Sequence, residues 1–339
     1  MLTSDFNYNL PEKLIAQKPM RPRDHSRLLA LDRTSGEIKH QHFYDLPEFL
    51  KPGDVLIFNE SKVFKARLIG ELKSQDIEIF LLRGNGAMWS CLARPGKKIS
   101  TGDVIKFKKG LKAETIKKRD EGIIEIEFNK FGEELMDIIS DIGEVPTPPY
   151  VKAPPEDLKD YQTVYAKRTG SVAAPTAGFH FTPELLKKIQ DQGIDLEFIT
   201  LHVGIGTFRP VQTENLEDHE MHEEFVEIDA KTADRINKAK KEGRRIIAVG
   251  TTTVRALEGV AALNQGALKS FAGDVNLFIK PGFKFQIIDS LITNFHLPKS
   301  TLLVLVSALA GRENILKAYQ EAVKEKYRFY SFGDAMFIA

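Results

Sequence analysis

Cysteine is nearly missing from this 339-residue chain: there is one, Cys91. It can form no internal disulfide and no thiolate metal cluster. Long apolar runs are missing as well. The longest, around Thr301 to Ala310, falls well short of the ~18 residues that span a membrane and reads as a core helix. Met1 to Leu10 carries acidic and polar side chains and nothing like the apolar region of a secretory leader. Neither sign of charge dominates, with 48 Lys and Arg against 47 Asp and Glu and a net charge of +1. These absences exclude the disulfide-stapled and membrane-spanning classes and predict a cytoplasmic protein with no membrane association. Hydrophobic residues at 42% and charged residues at 28% are ordinary for a globular chain. The length allows a large core and two domains.

The balanced total hides an uneven distribution. Ten cations lie between Arg94 and Arg119, among them Lys97, Lys98, Lys106, Lys108 and Lys109, and only Asp103 and Glu114 oppose them. A local excess of this size attracts a polyanion and makes its binding salt-dependent. A solvated lysine-rich surface is the plainer reading of the same stretch.

Three zones follow along the chain. Met1 to about Phe64 mixes an extended start, a short helix near Pro11 to Gln17, and strands at Arg27 to Leu31 and Val55 to Phe58. From Lys65 to Asp141 short strand-like runs recur: Ala66 to Ile69, Ile77 to Leu82, Met88 to Ala93, Val104 to Phe107 and Ile123 to Phe128. Glycine turns punctuate them, the pattern of a small antiparallel barrel, and a helix near Glu133 to Ser140 closes the zone. A proline-rich connector, Val145 to Pro155, marks a boundary. From Tyr161 onward strands alternate with helices. Thr182, Pro183 and Gly193 bracket one helix, and Asp229 and Gly243 another. Strands are expected at Ile194 to Val203, Arg245 to Val249, Val275 to Ile279 and Gln286 to Ile288. The third zone ends in two helices between Ser300 and Lys326 and an aromatic-rich strand within Tyr327 to Met336. The fold class expected is α/β: a largely parallel sheet covered by helices, with an inserted small antiparallel β-barrel. Residues 1–64 and 150–339 would form the discontinuous α/β domain, and residues 65–149 the barrel.

Tyr165 to Thr182 is the most informative segment. Gly170 to Gly178 is nearly all small residues, with the hydroxyls of Ser171 and Thr176, and His180 follows. Small residues let a backbone approach a ligand closely; a plain surface loop is the other reading. Further unusual segments fall where parallel strands end, which is where α/β sheets bind ligands. These are His202 to Phe208, Gly250 to Thr253 and Thr293 to Pro298. The Gly204–Gly206 pair lacks the third glycine and following helix of a dinucleotide or methyltransferase motif. His219 and His222 have no settled third ligand, so no metal is expected. Near the N-terminus, Arg21 to Arg27 gathers three arginines around Asp24, and Asn59 to Lys62 adds polar groups at a strand end.

The chain resembles the S-adenosylmethionine:tRNA ribosyltransferase-isomerase family over essentially its whole length. Leu10 to Gln17, Arg23 to Arg27, Gly170 to Thr182, Leu201 to Pro210, Met221 to Glu223, Gly250 to Thr252, Thr293 to Pro298 and Tyr327 to Met336 carry the likeness. Phe179 stands where the family more often has leucine, and Ser61-Lys62 where threonine-arginine is usual. The resemblance implies that the ribosyl part of S-adenosylmethionine is moved onto 7-aminomethyl-7-deazaguanine (preQ1) at the tRNA wobble position. Rearrangement would give epoxyqueuosine, with release of adenine and methionine. It also implies an α/β domain with an inserted barrel, S-adenosylmethionine as co-substrate, no permanently bound cofactor, no metal, and no obligatory protein partner. A tRNA methyltransferase and a non-catalytic RNA-binding protein are the competing readings.

The reaction's demands then select residue types. The sulfonium acidifies the adjacent ribose carbon, so a base is needed, and adenine leaves only when protonated, so an acid is needed. His180 is expected as one proton-transfer group, with His202 or His222 as the second. Ser171, Thr176 and Thr207 would hold ribose hydroxyls or adenine edges, and Thr251 and Thr252 the methionine carboxylate. Arg23, Asp24 and Arg27 would fix the base or the methionine end, and Asp334 the substrate amine. Asn294 and His296 are further substrate-binding candidates. Lys97, Lys98, Lys106, Lys108 and Lys109 would meet tRNA phosphates.

Overall fold

A computed structural model describes residues 1–119, 122–147, 150–152, 155, 157–204, 211, 213–221 and 223–339. The strands of the first zone are β1 (Arg27–Leu31), β2 (Ile38–His42), β3 (Val55–Asn59) and β4 (Ser61–Val63). Next come β5 (Arg67–Leu72), β6 (Gln75–Asn85), β7 (Met88–Arg94), β8 (Val104–Lys106), β9 (Lys112–Lys118), β10 (Ile124–Phe128) and helix α1 (Gly132–Ile142). After β11 (Arg168–Ser171) come α2 (Pro183–Asp191), β12 (Asp195–His202), β13 (Glu224–Ile228), α3 (Ala230–Lys241), β14 (Ile246–Val249) and α4 (Thr251–Leu263). The chain closes with β15 (Phe271–Val275), β16 (Ser290–Asn294), α5 (Thr301–Ala310), α6 (Arg312–Lys324) and β17 (Ala335–Ile338).

Two compact units form. One holds Met1–Ser61, Gln162–Arg168 and Ala174–Ala339; the other holds Lys62–Tyr161 and Thr169–Ala173. In the first, nine strands make one sheet in the order β15-β13-β12-β3-β14-β16-β17-β1-β2. Its centre, β12-β3-β14-β16, is parallel throughout. The flanks add antiparallel pairs, and β17 returns antiparallel to β16 while running parallel to β1. Both faces of the central strands are covered: Val55–Asn59, Ile246–Val249 and Ser290–Asn294 are buried at every position, including the polar Asn59, Ser290, Thr293 and Asn294.

The helices start where their caps put them. Thr182 accepts the Leu185 N–H at 3.1 Å with Pro183 in the first turn, and Asp229 accepts the Thr232 N–H at 2.9 Å. A Thr182→Ala change at such a cap typically costs about 1 kcal/mol. α4 and α5 are buried almost all round; α5 is apolar apart from Thr301 and Ser307, while α4 also buries Arg255 and Glu258, each with a polar partner. Among the described residues, no helix is long and apolar enough to cross a membrane.

The second unit is a closed six-stranded barrel in the order β10-β7-β6-β5-β8-β9. Alternate side chains fill it: Leu68 and Leu72, Ile77, Ile79 and Leu81, Cys91, Ile105, Ala113 and Thr115, and Ile124, Ile126 and Phe128 are all buried. The Cys91 thiol, enclosed there, is pushed up to about 12 by burial.

Several local expectations differ from the structure. Pro11 to Gln17 is no helix; only Glu12–Leu14 makes a short 3-10 turn. The reason is tertiary: Ile15 bridges to Phe329, and the Ala16 N–H donates to the Phe329 carbonyl. The strand placed at Val275 to Ile279 lies earlier, as β15. Gln286 to Ile288 is no strand, because the buried Glu258 carboxylate accepts the N–H groups of Gln286, Ile287 and Ile288. The C-terminal strand is only Ala335–Ile338; Tyr327 to Gly333 is a tight turn. β9 sits inside the cationic stretch, its inward Ala113 and Thr115 alternating with exposed Lys112, Glu114 and Ile116.

Candidate active site

Three parallel strands end together, and an open cleft lies at their carboxyl ends. Val203 after β12, Gly250, Thr251 and Thr252 after β14, and Thr293 to His296 at the end of β16 supply one part of its lining. Ala174 to Ala177, Leu302, Tyr330 and Ser331 supply the rest. The geometry is that of an α/β sheet's ligand crevice. Gly250 makes the turn from β14 into α4 at φ +95°, a backbone that side-chain-bearing residues rarely adopt. It delivers the first turn of a 13-residue helix, whose leading N–H groups have no partner within the helix, to the cleft.

The small-residue segment is buried rather than superficial: Val172, Ala173, Ala174, Ala177 and Phe179 are all buried. Its glycine serves packing. A Cβ on Gly178 would lie 1.9 Å from the Tyr165 hydroxyl, so the missing side chain makes room for Tyr165. The segment then delivers His180, which is 4% exposed.

His180 is the centre of a buried polar chain. Its Nδ1 lies 2.7 Å from Ser26 Oγ, and its Nε2 lies 3.1 Å from Asn294 Nδ2. Thr176 Oγ1 donates to Asn294 Oδ1 at 3.1 Å. One proton arrangement satisfies every member. Thr176 donates to the amide oxygen, the amide NH₂ donates to Nε2, and Nδ1–H donates to Ser26. The ring is therefore neutral with both nitrogens engaged. Burial, reinforced by the charges of Arg328 and Arg23, pushes its pKa down to about 3. Phe43 packs against the ring at 4.9 Å.

His296 is a second buried imidazole. Its Nε2 lies 3.1 Å from Thr293 Oγ1, its backbone N–H donates to the Tyr319 hydroxyl at 3.1 Å, and its carbonyl accepts the Tyr8 hydroxyl at 2.5 Å. Burial lowers its pKa to about 3 and raises both phenols. Tyr330 lines the same cleft at φ +74°, a strained backbone for a bulky residue. Such strain persists where the surroundings over-determine it. Here the Tyr330 N–H is held by the Phe295 carbonyl, and the Tyr330 carbonyl accepts from Gly333.

A smaller indentation adjoins through Ser331, which lines both; Pro19, Met20, Arg23, Phe179 and His180 are among its other walls. Thr176, Thr251, Thr252, Asn294 and His296 thus line the larger space, and Arg23 and His180 the smaller one. Arg23 also donates to the Gln162 carbonyl at 2.6 Å, and its guanidinium lies 5.4 Å from the Phe179 ring centre. Asp24 accepts the Thr182 hydroxyl at 3.4 Å, beside this group.

Other expected residues are placed differently. Ser171 is fully buried, donates to the Ala173 carbonyl at 2.6 Å, and belongs to the barrel unit; it does not line the cleft. Asp334 lines neither pocket. It is 1% exposed and its two oxygens accept the N–H groups of Arg27 and Arg328, which fixes the C-terminal turn. Burial raises its pKa. Arg27 lies over the Tyr327 ring at 3.7 Å and donates to the Glu325 carbonyl. His202 ends β12, one residue before the cleft, with its ring stacked on Phe225 at 5.9 Å. Asn59 acts structurally, bridging β3 to both backbone groups of Leu201. Thr207 and His222 lie outside the described residues. In the barrel unit, Lys97, Lys98, Lys106, Lys108 and Lys109 are all exposed. Lys98 donates to Gln75, and Lys109 pairs with Asp141.

Sequence reasoning missed Ser26, Thr293, Tyr330 and Ser331 as members of this site. All four lie inside motifs named above, but nothing local marks a serine as the partner of a histidine 154 residues away. It also missed the buried Arg255–Glu224 ion pair at 3.2 Å, which joins α4 to β13.

A family model described as queuosine biosynthesis protein matches residues 3–338. The chain belongs to the queuosine biosynthesis protein family. A protein of known structure, the S-adenosylmethionine tRNA ribosyltransferase from Thermotoga maritima, is 38% identical over 99% of this chain and all of its own, with a TM-score of 0.59. The likeness spans both the α/β unit and the barrel. All motifs that line the two pockets therefore lie within one family-wide match.

Proposed function

We propose that this protein transfers the ribosyl moiety of S-adenosylmethionine to preQ1 at the wobble position of tRNA. It isomerises the product to epoxyqueuosine and releases adenine and methionine. The observation that carries this reading is likeness over nearly the whole chain to an S-adenosylmethionine tRNA ribosyltransferase. The cleft at the ends of β12, β14 and β16 is where the co-substrate binds. The first turn of α4, with Thr251 and Thr252, receives the methionine carboxylate, since helix N-termini favour anions. Thr176 and Asn294 meet ribose hydroxyls or adenine edges, and His296 backs that wall. No permanently bound cofactor or metal is invoked, and the protein works in the cytoplasm.

The site's chemistry follows from its protonation. A ring with a pKa near 3 is neutral at physiological pH and is a weak base while its lone pair is held by Asn294. His180 therefore orients Asn294 and Thr176 in the resting site, and exchanges a proton only when a ligand takes over one of its bonds. His202 and His222 remain the candidates for the second proton-transfer group. The attacking aminomethyl group resembles lysine, with a pKa near ~10 when free, so it must lose a proton at the site. The exposed lysines of the barrel unit meet tRNA phosphates.

Incubation with S-adenosylmethionine and tRNA bearing preQ1 tests the reading. Free adenine, free methionine and the mass of epoxyqueuosine in the digested tRNA are the expected products. S-adenosylhomocysteine would instead establish a methyltransferase, and binding without any product an RNA-binding protein.

A further inference from the structure

Three exposed rings gather on the α/β unit without serving the core. His42 and Tyr44 stack at 5.1 Å with 5° between their planes, and His25 meets Tyr44 edge-on at 5.2 Å. Tyr44 is 37% exposed, and both imidazoles are exposed as well. The rings come from three elements: the short turn Arg23–His25, the end of β2, and the 3-10 stretch Phe43–Phe49. Backbone bonds fix them, with the Phe43 N–H donating to the Ser26 carbonyl at 2.8 Å and the His42 N–H to the Asp45 carboxylate at 3.1 Å.

Their position links them to the pocket. Ser26, next to His25, bonds His180, and Phe43, between His42 and Tyr44, packs on the same ring. Arg27 is the register partner of His42 on β1 and shares its face of the sheet. Arg21 and Arg23 lie on the adjoining segment, and Arg23 lines the smaller pocket.

A solvent-facing π surface beside guanidinium groups fits an unpaired nucleobase and its phosphate. A duplex offers no such fit, because its bases are already stacked inside. We infer that His25, Tyr44 and His42 form a stacking platform for an unpaired anticodon-loop nucleotide next to the base being modified. The inference rests on the tRNA reading above and adds where the loop lies.

The test uses an anticodon stem-loop RNA with 2-aminopurine on either side of the wobble position. Wild-type protein should quench one of these labels on binding, as stacking does. Tyr44→Ala and His42→Ala should lose the quench and weaken binding by roughly 5- to 100-fold. Tyr44→Phe, which keeps the π face, should behave as wild type. The rings are exposed, so the melting temperature should stay unchanged, and so should the KM for S-adenosylmethionine. Wild-type affinity and quench in Tyr44→Ala would overturn the platform, as would equal quenching with a fully paired RNA. The readout is binding, so it is separable from turnover. Quenching without adenine release leaves the platform standing and sinks the reaction, and adenine release with an indifferent Tyr44→Ala does the reverse.

Discussion

The two compact units handle polar side chains in opposite ways. The α/β unit buries them: His180, His296, Asn294 and Thr293 are each at most 4% exposed and bonded to one another or to Ser26 and Thr176. The barrel unit keeps its cations outside, where Lys97, Lys106 and Lys108 stand in solvent and Lys109 and Arg119 pair with surface acids. Burial makes each group depend on its neighbours, because an unpartnered buried donor or acceptor costs about 1–3 kcal/mol. Exposed charges are cheap, screened by salt and nearly independent. The first arrangement suits a small ligand that must be held in one geometry; the second suits a long polyanion met at many points.

The largest effect should come from breaking the buried chain at its centre. His180→Ala should cut adenine release by about 10²–10⁴-fold, the range lost with a proton-transfer or orienting group. Its affinity for tRNA should stay within a few-fold. Removal of the ring strands Ser26 and Asn294, so the melting temperature should fall as well. For the same reason His180→Ala and Asn294→Ala should be far from additive in both rate and stability. Adenine release within tenfold of wild type would remove His180 from the reaction.

A smaller, thermodynamic effect follows from the depressed imidazoles. His180 and His296 stay neutral in the folded protein down to about pH 3, whereas in the unfolded chain they take up protons near the ordinary value of ~6.5. Between these limits the unfolded state binds more protons, so stability rises with pH. The contribution is complete above about pH 6.5 and is lost as pH falls through that value. Each histidine should add about 1.4 kcal/mol per pH unit to the slope in this window. Urea unfolding at a series of pH values should show that slope reduced by one proton in His296→Gln. An unchanged slope would mean that His296 is protonated in the folded state.

The contrast between the units also explains what the sequence could reveal. Helix starts were legible at Thr182-Pro183 and Asp229 because caps act within three residues. The barrel was legible because inward and outward side chains alternate between glycine turns. β9 was not, since its two inward residues, Ala113 and Thr115, are small or polar and sit in a charged stretch. Gln286 to Ile288 looked like a strand until Glu258, 28 residues earlier, took its amides. The strand-end motifs located the cleft, but the pairings within it did not show. His180 meets Ser26 and Asn294 across 154 and 114 residues, and no local pattern encodes such a bond. The backbone bonds of Asp334 were not legible, because a carboxylate among aromatics and arginines reads the same whether it awaits an amine or ties down its own backbone.

The smallest effects should appear on the barrel, one charge at a time. Lys106 is exposed on β8, whereas Lys109 pairs with Asp141 and holds its carboxyl below the usual range. If both lysines meet phosphate, Lys106→Ala should weaken tRNA binding a few-fold and lower the slope of log K against log salt by about one. Lys109→Ala should cost more, because it also releases the Asp141 carboxylate to repel the same phosphates. Asp141→Asn should then tighten binding slightly, which no loss of packing can do. Charge reversal at Lys106, Lys108 and Lys109 together should sum these steps and flatten the salt dependence, while adenine release at saturating tRNA stays near wild type. Unchanged affinity and slope in the triple variant would place this face away from tRNA, and the contrast between a buried chemical site and an exposed electrostatic one would no longer map onto the two units.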